Sequence, residues 1–224
     1  MTDPLADNRA ARDAILARVR NALGDRDAHA KANAEAYVAA HRHGPRPAMT
    51  ADLRGRFIER ALSMSSTVES IGAIDDVPNA VARYLDSLGS DLAGQRAGVC
   101  WPELASLDWS AAGLSIESRP ASGNDRLGIT GCACAIAETG TIAITSGAAT
   151  PTATALLPDT HVAIVRADRI VSGMEDAFAL IRGEHGAMPR ALNFISGPSR
   201  TGDIEQTIVL GAHGPFRVHL LVIG

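Results

Sequence analysis

The sequence predicts an α/β fold, a wound sheet whose strands are separated by helices, preceded by an N-terminal helical arm. Three observations carry that expectation. From Asp52 onward, helix-period segments alternate with short β-branched runs. Ahead of them, Asn8 to Leu23 sets Ile15, Leu16, Val19 and Leu23 at helical spacing, with Arg12, Arg18 and Arg20 elsewhere on the wheel and Gly24 as a stop. The 224 residues are 46% hydrophobic and 21% charged, the balance of a chain that buries a core of its own. No internal repeat is evident.

Asp25 to Ala48 is rich in Ala, His and charge and ends in His41-Arg-His-Gly-Pro-Arg-Pro47, which reads as a connection with solvated histidines. Residues 1–48 are therefore expected to form an arm and linker, and residues 49–224 the domain. Within the domain, Asp52 to Met64 reads as a helix and Thr67 to Ile71 as a strand. Asp76-Val-Pro-Asn opens a helix that places Val81, Leu85 and Leu88 on one face up to Gly89. Strands are expected at Ala97 to Trp101 and Leu114 to Ser118. Ala135 to Thr145 is an apolar run broken at Gly140, and Val162 to Val165 is a buried-type strand. Ser172-Gly-Met-Glu175 has the form of a capping box before Met174, Phe178 and Ile181. Strands at Ala191 to Ile195 and Phe216 to Ile223 complete the reading.

Several function classes are disfavoured. A net charge of -4 provides no basic field for nucleic acid or an anionic membrane. The three cysteines, Cys100, Cys132 and Cys134, cannot form a complete disulfide framework and fit a reducing cytosol. The N-terminus has no apolar h-region and no stretch is long enough to span a bilayer, so a cytoplasmic location is expected. Iron–sulfur and zinc sites want four ligands, so Cys132-Ala-Cys134 reads as small buried thiols, and no metal site is expected. No recognisable cofactor motif occurs.

Three polar clusters interrupt the apolar pattern. In Ala135-Ile-Ala-Glu-Thr-Gly-Thr-Ile142, Glu138 falls between two core-like runs beside the turn Thr139, Gly140 and Thr141. It reads either as a solvated turn glutamate or as a carboxylate at a rim where it can react. In Leu157-Pro-Asp-Thr-His161, His161 stands at the mouth of a buried strand, where it can serve as general acid or base or simply bond a loop carbonyl. In Asn193-Phe-Ile-Ser-Gly-Pro-Ser-Arg-Thr-Gly-Asp-Ile-Glu-Gln206, a glycine-containing turn is expected to feed a helix, with Asp203 as N-cap and Gln206 three residues on. Backbone N–H groups beside Ser199, Arg200 and Thr201 would then suit a carboxylate or phosphate. The alternative is that Asp203 only caps and Arg200 pairs with an acidic neighbour. Gly211-Ala-His213-Gly-Pro215 forms a second polar turn.

In this order, these segments, together with Leu157 to Val165, Arg169-Ile-Val171 and Val209 to Pro215, closely resemble the LUD-domain lactate-utilization proteins of the C-subunit type. The resemblance is dense from about Leu127 onward and thinner from Asp52 to Asp125. It implies a Rossmann-like wound sheet of the NagB/RpiA/CoA-transferase-like type. It also implies a role in oxidising L-lactate to pyruvate beside companion iron–sulfur subunits, in a chain that lacks cluster ligands itself. In fold-related CoA transferases a glutamate attacks an acyl group, and Glu138 is parallel to it by fold analogy alone. Glu138 and His161 are thus the catalytic candidates. Thr139, Gly140, Thr141, Ser199, Arg200, Thr201, Asp203 and His213 are the ligand-binding candidates, for a small carboxylate, an acyl-CoA or a phosphorylated ligand.

Overall fold

The structure, a computed structural model, describes residues 4–24, 28–42, 44–89, 96–204 and 207–224. The chain divides into two compact units, Met1–Arg46 and Pro47–Gly224. In the first, α1 (Pro4–Leu23) is the expected helix, and it is followed by α2 (Ala28–Ala39) where a connection was expected. Alanine recurs through α2, and Lys31 pairs with Glu35 one turn on at 3.7 Å, so helix propensity suffices without an apolar stripe to announce it.

In the second unit, α3 (Leu53–Ser63) starts at Asp52, whose carboxylate accepts from Gly55 N at 2.8 Å, and it buries Phe57 and Ala61. β1 (Thr67–Ile71) follows, then α4 (Val77–Ser87) with Pro78 in its first turn. Next come β2 (Ala97–Cys100), β3 (Ser115–Ser118), β4 (Leu127–Thr130), β5 (Cys134–Ile136) and β6 (Thr141–Thr145). After the short α5 (Ala153–Leu156) come β7 (Thr160–Arg166), β8 (Ile170–Val171) and α6 (Met174–His185). The chain continues through β9 (Leu192–Ile195), β10 (Arg200–Ile204), β11 (Thr207–Leu210) and β12 (Arg217–Ile223). The cap of α6 is Gly173 rather than Ser172, with the Asp176 carboxylate accepting from Gly173 N at 3.1 Å.

The central sheet has six strands in the order β1-β12-β7-β4-β2-β3, and every neighbouring pair is parallel. A mixed four-stranded sheet, β8-β5-β6-β9, stands beside it, and β10 and β11 form a separate antiparallel ribbon. The wound α/β expectation is met. Alternation along β7 shows how the layers stack. Val162 and Ile164 join Tyr84, Leu85 and Trp109 on the α4 face, whereas Ala163 and Val165 join Phe57, Trp101, Ile142 and Ile144 on the face covered by α3 and the second sheet. α6 then lays Ala177 and Ile181 on Cys134, Ile136 and Ala143 of that second sheet.

No helix starts at Asp203; Arg200 pairs with Leu210 and Thr201 with Val209 in the β10–β11 ribbon. The β-branched run Thr207-Ile208-Val209 suits a pleated strand, and that outweighs the local capping spacing. Glu205 and Gln206 lie outside the described residues, and so does the Asp203 side chain.

Candidate functional site

Two glycine turns close on the C-terminal end of α3. Gly140, at φ +67°, lies so near that a β-carbon there would stand 2.3 Å from Ala61 N. A β-carbon on Gly197, at φ +83°, would stand 2.1 Å from Met64 O. Both positions thus need glycine twice over, for the left-handed backbone and for the space. Hydroxyls tie the turns together: Thr139 Oγ1 lies 2.7 Å from Thr141 Oγ1, which lies 2.6 Å from Ser196 Oγ. Arg200 Nη2 donates to Met64 O at 2.7 Å. The first and third sequence clusters therefore meet, at the end of a helix that neither includes.

Glu138 is half-buried in the first turn, and its backbone N–H donates to Ser172 O at 3.0 Å. Its carboxylate has no hydrogen-bond or ion-pair partner among the described residues. On α3, which the same turn touches through Gly140, Arg60 Nε is buried without a partner among the described residues.

The base of the ribbon is braced by the 211–215 loop. Ser199 N donates to Pro215 O at 2.9 Å and Gly211 N to Ser199 O at 3.0 Å, and His213 N reaches Ser199 Oγ at 3.4 Å. The His213 side chain is exposed, whereas Thr201 is buried. Beside this base opens a cavity of about 530 Å³, at the N-terminal ends of β1 and β12. Ser65, Thr67, Arg200 and Arg217 provide its polar groups.

His161 lies elsewhere. It is fully buried on β7, where Nε2 is 2.8 Å from Thr130 Oγ1 on β4 and Nδ1 has no partner among the described residues. It makes no hydrogen bond to Glu138 or to the Ser199–Arg200 turn. Desolvation pushes its pKa down to about 4, so the ring stays neutral across the physiological range.

Sequence reasoning passed over His219 on β12, another buried histidine with a pKa pushed down to about 4 by burial. Its Nδ1 lies 2.8 Å from Thr67 Oγ1, and its ring stacks on Tyr84 with centroids 3.9 Å apart and planes 6° from parallel. A lone histidine inside Arg217-Val-His-Leu-Leu-Val-Ile223 was the available signal. Glu103 was also missed. It follows β2 at the point where the strand order reverses, so close to Gly131 after β4 that a β-carbon there would stand 2.3 Å from its Oε1. Burial raises its carboxyl pKa. All three cysteines are free thiols, and burial pushes Cys100 and Cys134 up to about 11 and Cys132 to about 12.

A model of the LUD domain matches residues 61–223, which include every cluster above. The chain belongs to the LUD-domain family. Among LUD-domain relatives, Lactate utilization protein C of Deinococcus radiodurans is 32% identical over 191 residues, covering 80% of this chain and 84% of that one. Its namesake from Bacillus licheniformis is 33% identical over 129 residues, 55% of this chain and 53% of the relative. The crystal structure of a DUF162 family protein from Deinococcus radiodurans superposes with a TM-score of 0.57 at 26% identity, over 80% of this chain and 100% of that one. The LUD match begins within α3, so the helix end that both glycine turns grip lies inside the family's own segment. No helix among the described residues is long and apolar enough to cross a membrane.

Proposed function

We propose that this LUD-domain chain takes part in lactate utilization, as a cytoplasmic subunit of a system that oxidises L-lactate to pyruvate. Two electrons and two protons leave the substrate in that reaction, and the electrons pass to companion iron–sulfur subunits. The observation that carries this reading is the alignment with Lactate utilization protein C across 84% of the Deinococcus radiodurans relative. Three cysteines, one short of the four thiolates that a cluster commonly takes, support a chain that leaves cluster binding to its companions. Residues 1–48 serve as the arm and 49–224 as the functional domain. Ile15, Val19 and Leu23, each about half exposed along α1, give that arm an apolar edge for a companion subunit. Deletion of the gene, scored as growth on L-lactate as sole carbon source, tests the role, together with co-purification from lactate-grown cells. Normal growth and no co-purifying iron–sulfur protein would sink it.

A second reading is a stand-alone enzyme or binder of a small carboxylate, an acyl-CoA or a phosphorylated ligand. The Glu138 carboxylate, left without a partner among the described residues beside Thr139, Gly140 and Thr141, favours it. In both readings Ser199, Arg200, Thr201 and His213 form the ligand-facing strip, with Asp203 following along β10. His161 keeps a neutral, positioning role, since its buried ring cannot take up a proton near neutral pH without leaving a charge in the core. Calorimetry with lactate, pyruvate, CoA and folate compounds distinguishes the two, and silence with all four counts against the second.

A further inference from the structure

We infer that the cavity at the N-terminal ends of β1 and β12 binds a 2-hydroxy- or 2-oxocarboxylate whose body is larger and more apolar than that of lactate. This rests on the reading that Arg200 faces a ligand, and it names the ligand's class.

Charge comes first. Arg200 and Arg217 both line the cavity, and no carboxylate does among the described residues. Arg200 spends one donor on Met64 O, and Arg217 lies over the Phe216 ring with its carbon 4.7 Å from the centroid. Neither guanidinium has an acidic partner among the described residues. A guanidinium resting on an aromatic face keeps its remaining N–H groups for an anion and is held in orientation by the ring. Two such groups lining one space suit a carboxylate, whose two oxygens both accept.

Shape comes second. At about 530 Å³ the space falls in the range of small-molecule sites. Lactate would fill a small part of it, being about three waters in bulk at ~30 Å³ each. Leu88, Pro198, Leu210 and Val218 give the cavity apolar wall. A ligand that used only the arginines would leave that surface wet, whereas an apolar body would cover it.

The polar floor comes third. Ser65 and Thr67 reach the cavity, and the Thr67 hydroxyl is fixed by His219 Nδ1 at 2.8 Å. His219 is in turn clamped by stacking on Tyr84, which also lines the space. Hydroxyls lining the same space as the arginines suit the 2-hydroxy or 2-oxo group that neighbours the carboxylate in this class of acid. Inorganic phosphate has neither that group nor a body to cover the apolar wall.

The test is calorimetric titration of the full chain with 3-phenyllactate, L-lactate and inorganic phosphate as probes. 3-Phenyllactate should bind at least tenfold more tightly than either of the others. Arg200→Ala and Arg217→Ala should each weaken it at least tenfold. Leu210→Asp, at an exposed edge position where folding tolerates a charge, should do the same by setting a carboxylate against the ligand. Circular dichroism confirms that each variant is folded, and any one folded variant decides the question. Equal affinity for lactate and phenyllactate overturns the apolar-body claim, and phosphate binding as tightly as phenyllactate overturns the carboxylate claim. Absence of binding, or folded variants that bind like the parent, overturns the site. Growth on L-lactate of a strain deleted for the gene is scored separately, so failure of the lactate role and failure of the cavity assignment are read from different experiments.

Discussion

Gly140 and Gly197 press bare α-carbons against the backbone of α3 and the residue after it, where there is no flexible side chain to move aside. Gly140→Ala combines a left-handed backbone that costs an L-residue about 1–2 kcal/mol with direct overlap on Ala61 N. A loss of more than about 2 kcal/mol is expected in urea unfolding. Gly183 gives the contrast. It lies inside α6, and a β-carbon added there would meet nothing within 4 Å, so Gly183→Ala should stabilise by about 0.5–1 kcal/mol. A second residue-scale expectation concerns acid. His161 and His219 have folded pKa values near 4 against an ordinary 6.5, so the unfolded chain takes up protons first as pH falls. Their contribution is complete above about pH 6.5 and is lost progressively toward pH 4, by roughly 3 kcal/mol per histidine at most. Thermal melts between pH 7.5 and 4.5 should show it. The double variant His161→Gln, His219→Gln should be less stable at pH 7.5 and flatter across the range, and an unchanged slope would refute the assignment.

At the scale of elements, caps and ribbons follow different rules. Asp52→Ala removes the acceptor for Gly55 N and should cost about 1 kcal/mol, read from the denaturation midpoint. That cap was legible because Asp precedes a run with helical apolar spacing. The β10–β11 ribbon was not legible, because Asp203 and Gln206 satisfy a local capping rule while the pairing of Arg200 with Leu210 is a contact between segments. Local spacing cannot see a partner ten residues away. α2 escaped for the opposite reason: its alanines favour a helix without marking a face. At the site, the sequence singled out the Glu138 to Thr141 and Ser196 to Arg200 turns by their polar residues within apolar runs. It did not show that they meet through Thr141 and Ser196, since that contact exists only once β6 and β9 have paired. Nor could it separate the strand histidines His161 and His219 from surface ones, because burial is a property of the assembled sheet.

For the whole molecule, the Pro47–Gly224 unit has its own layered core, and residues 47–224 expressed alone should melt within about 2 °C of the full chain. Calorimetry of the shortened chain checks this; a loss of the cooperative transition would show that the arm is part of the folding unit. The alternation of helices and strands conveyed the wound sheet, whereas the strand order did not follow from it. That order has a consequence for how the protein is made. Among the described residues β1 is the first strand to be synthesised, and in the sheet it pairs with β12, the last of them. At ribosomal speeds of about 5–20 residues per second, β1 stands without that neighbour for on the order of ten seconds. During that wait an unpaired strand invites the wrong companion. The nascent chain meets the hazard with Glu69 in the middle of β1, a charge that discourages intermolecular pairing until the closing strand slots between β1 and β7.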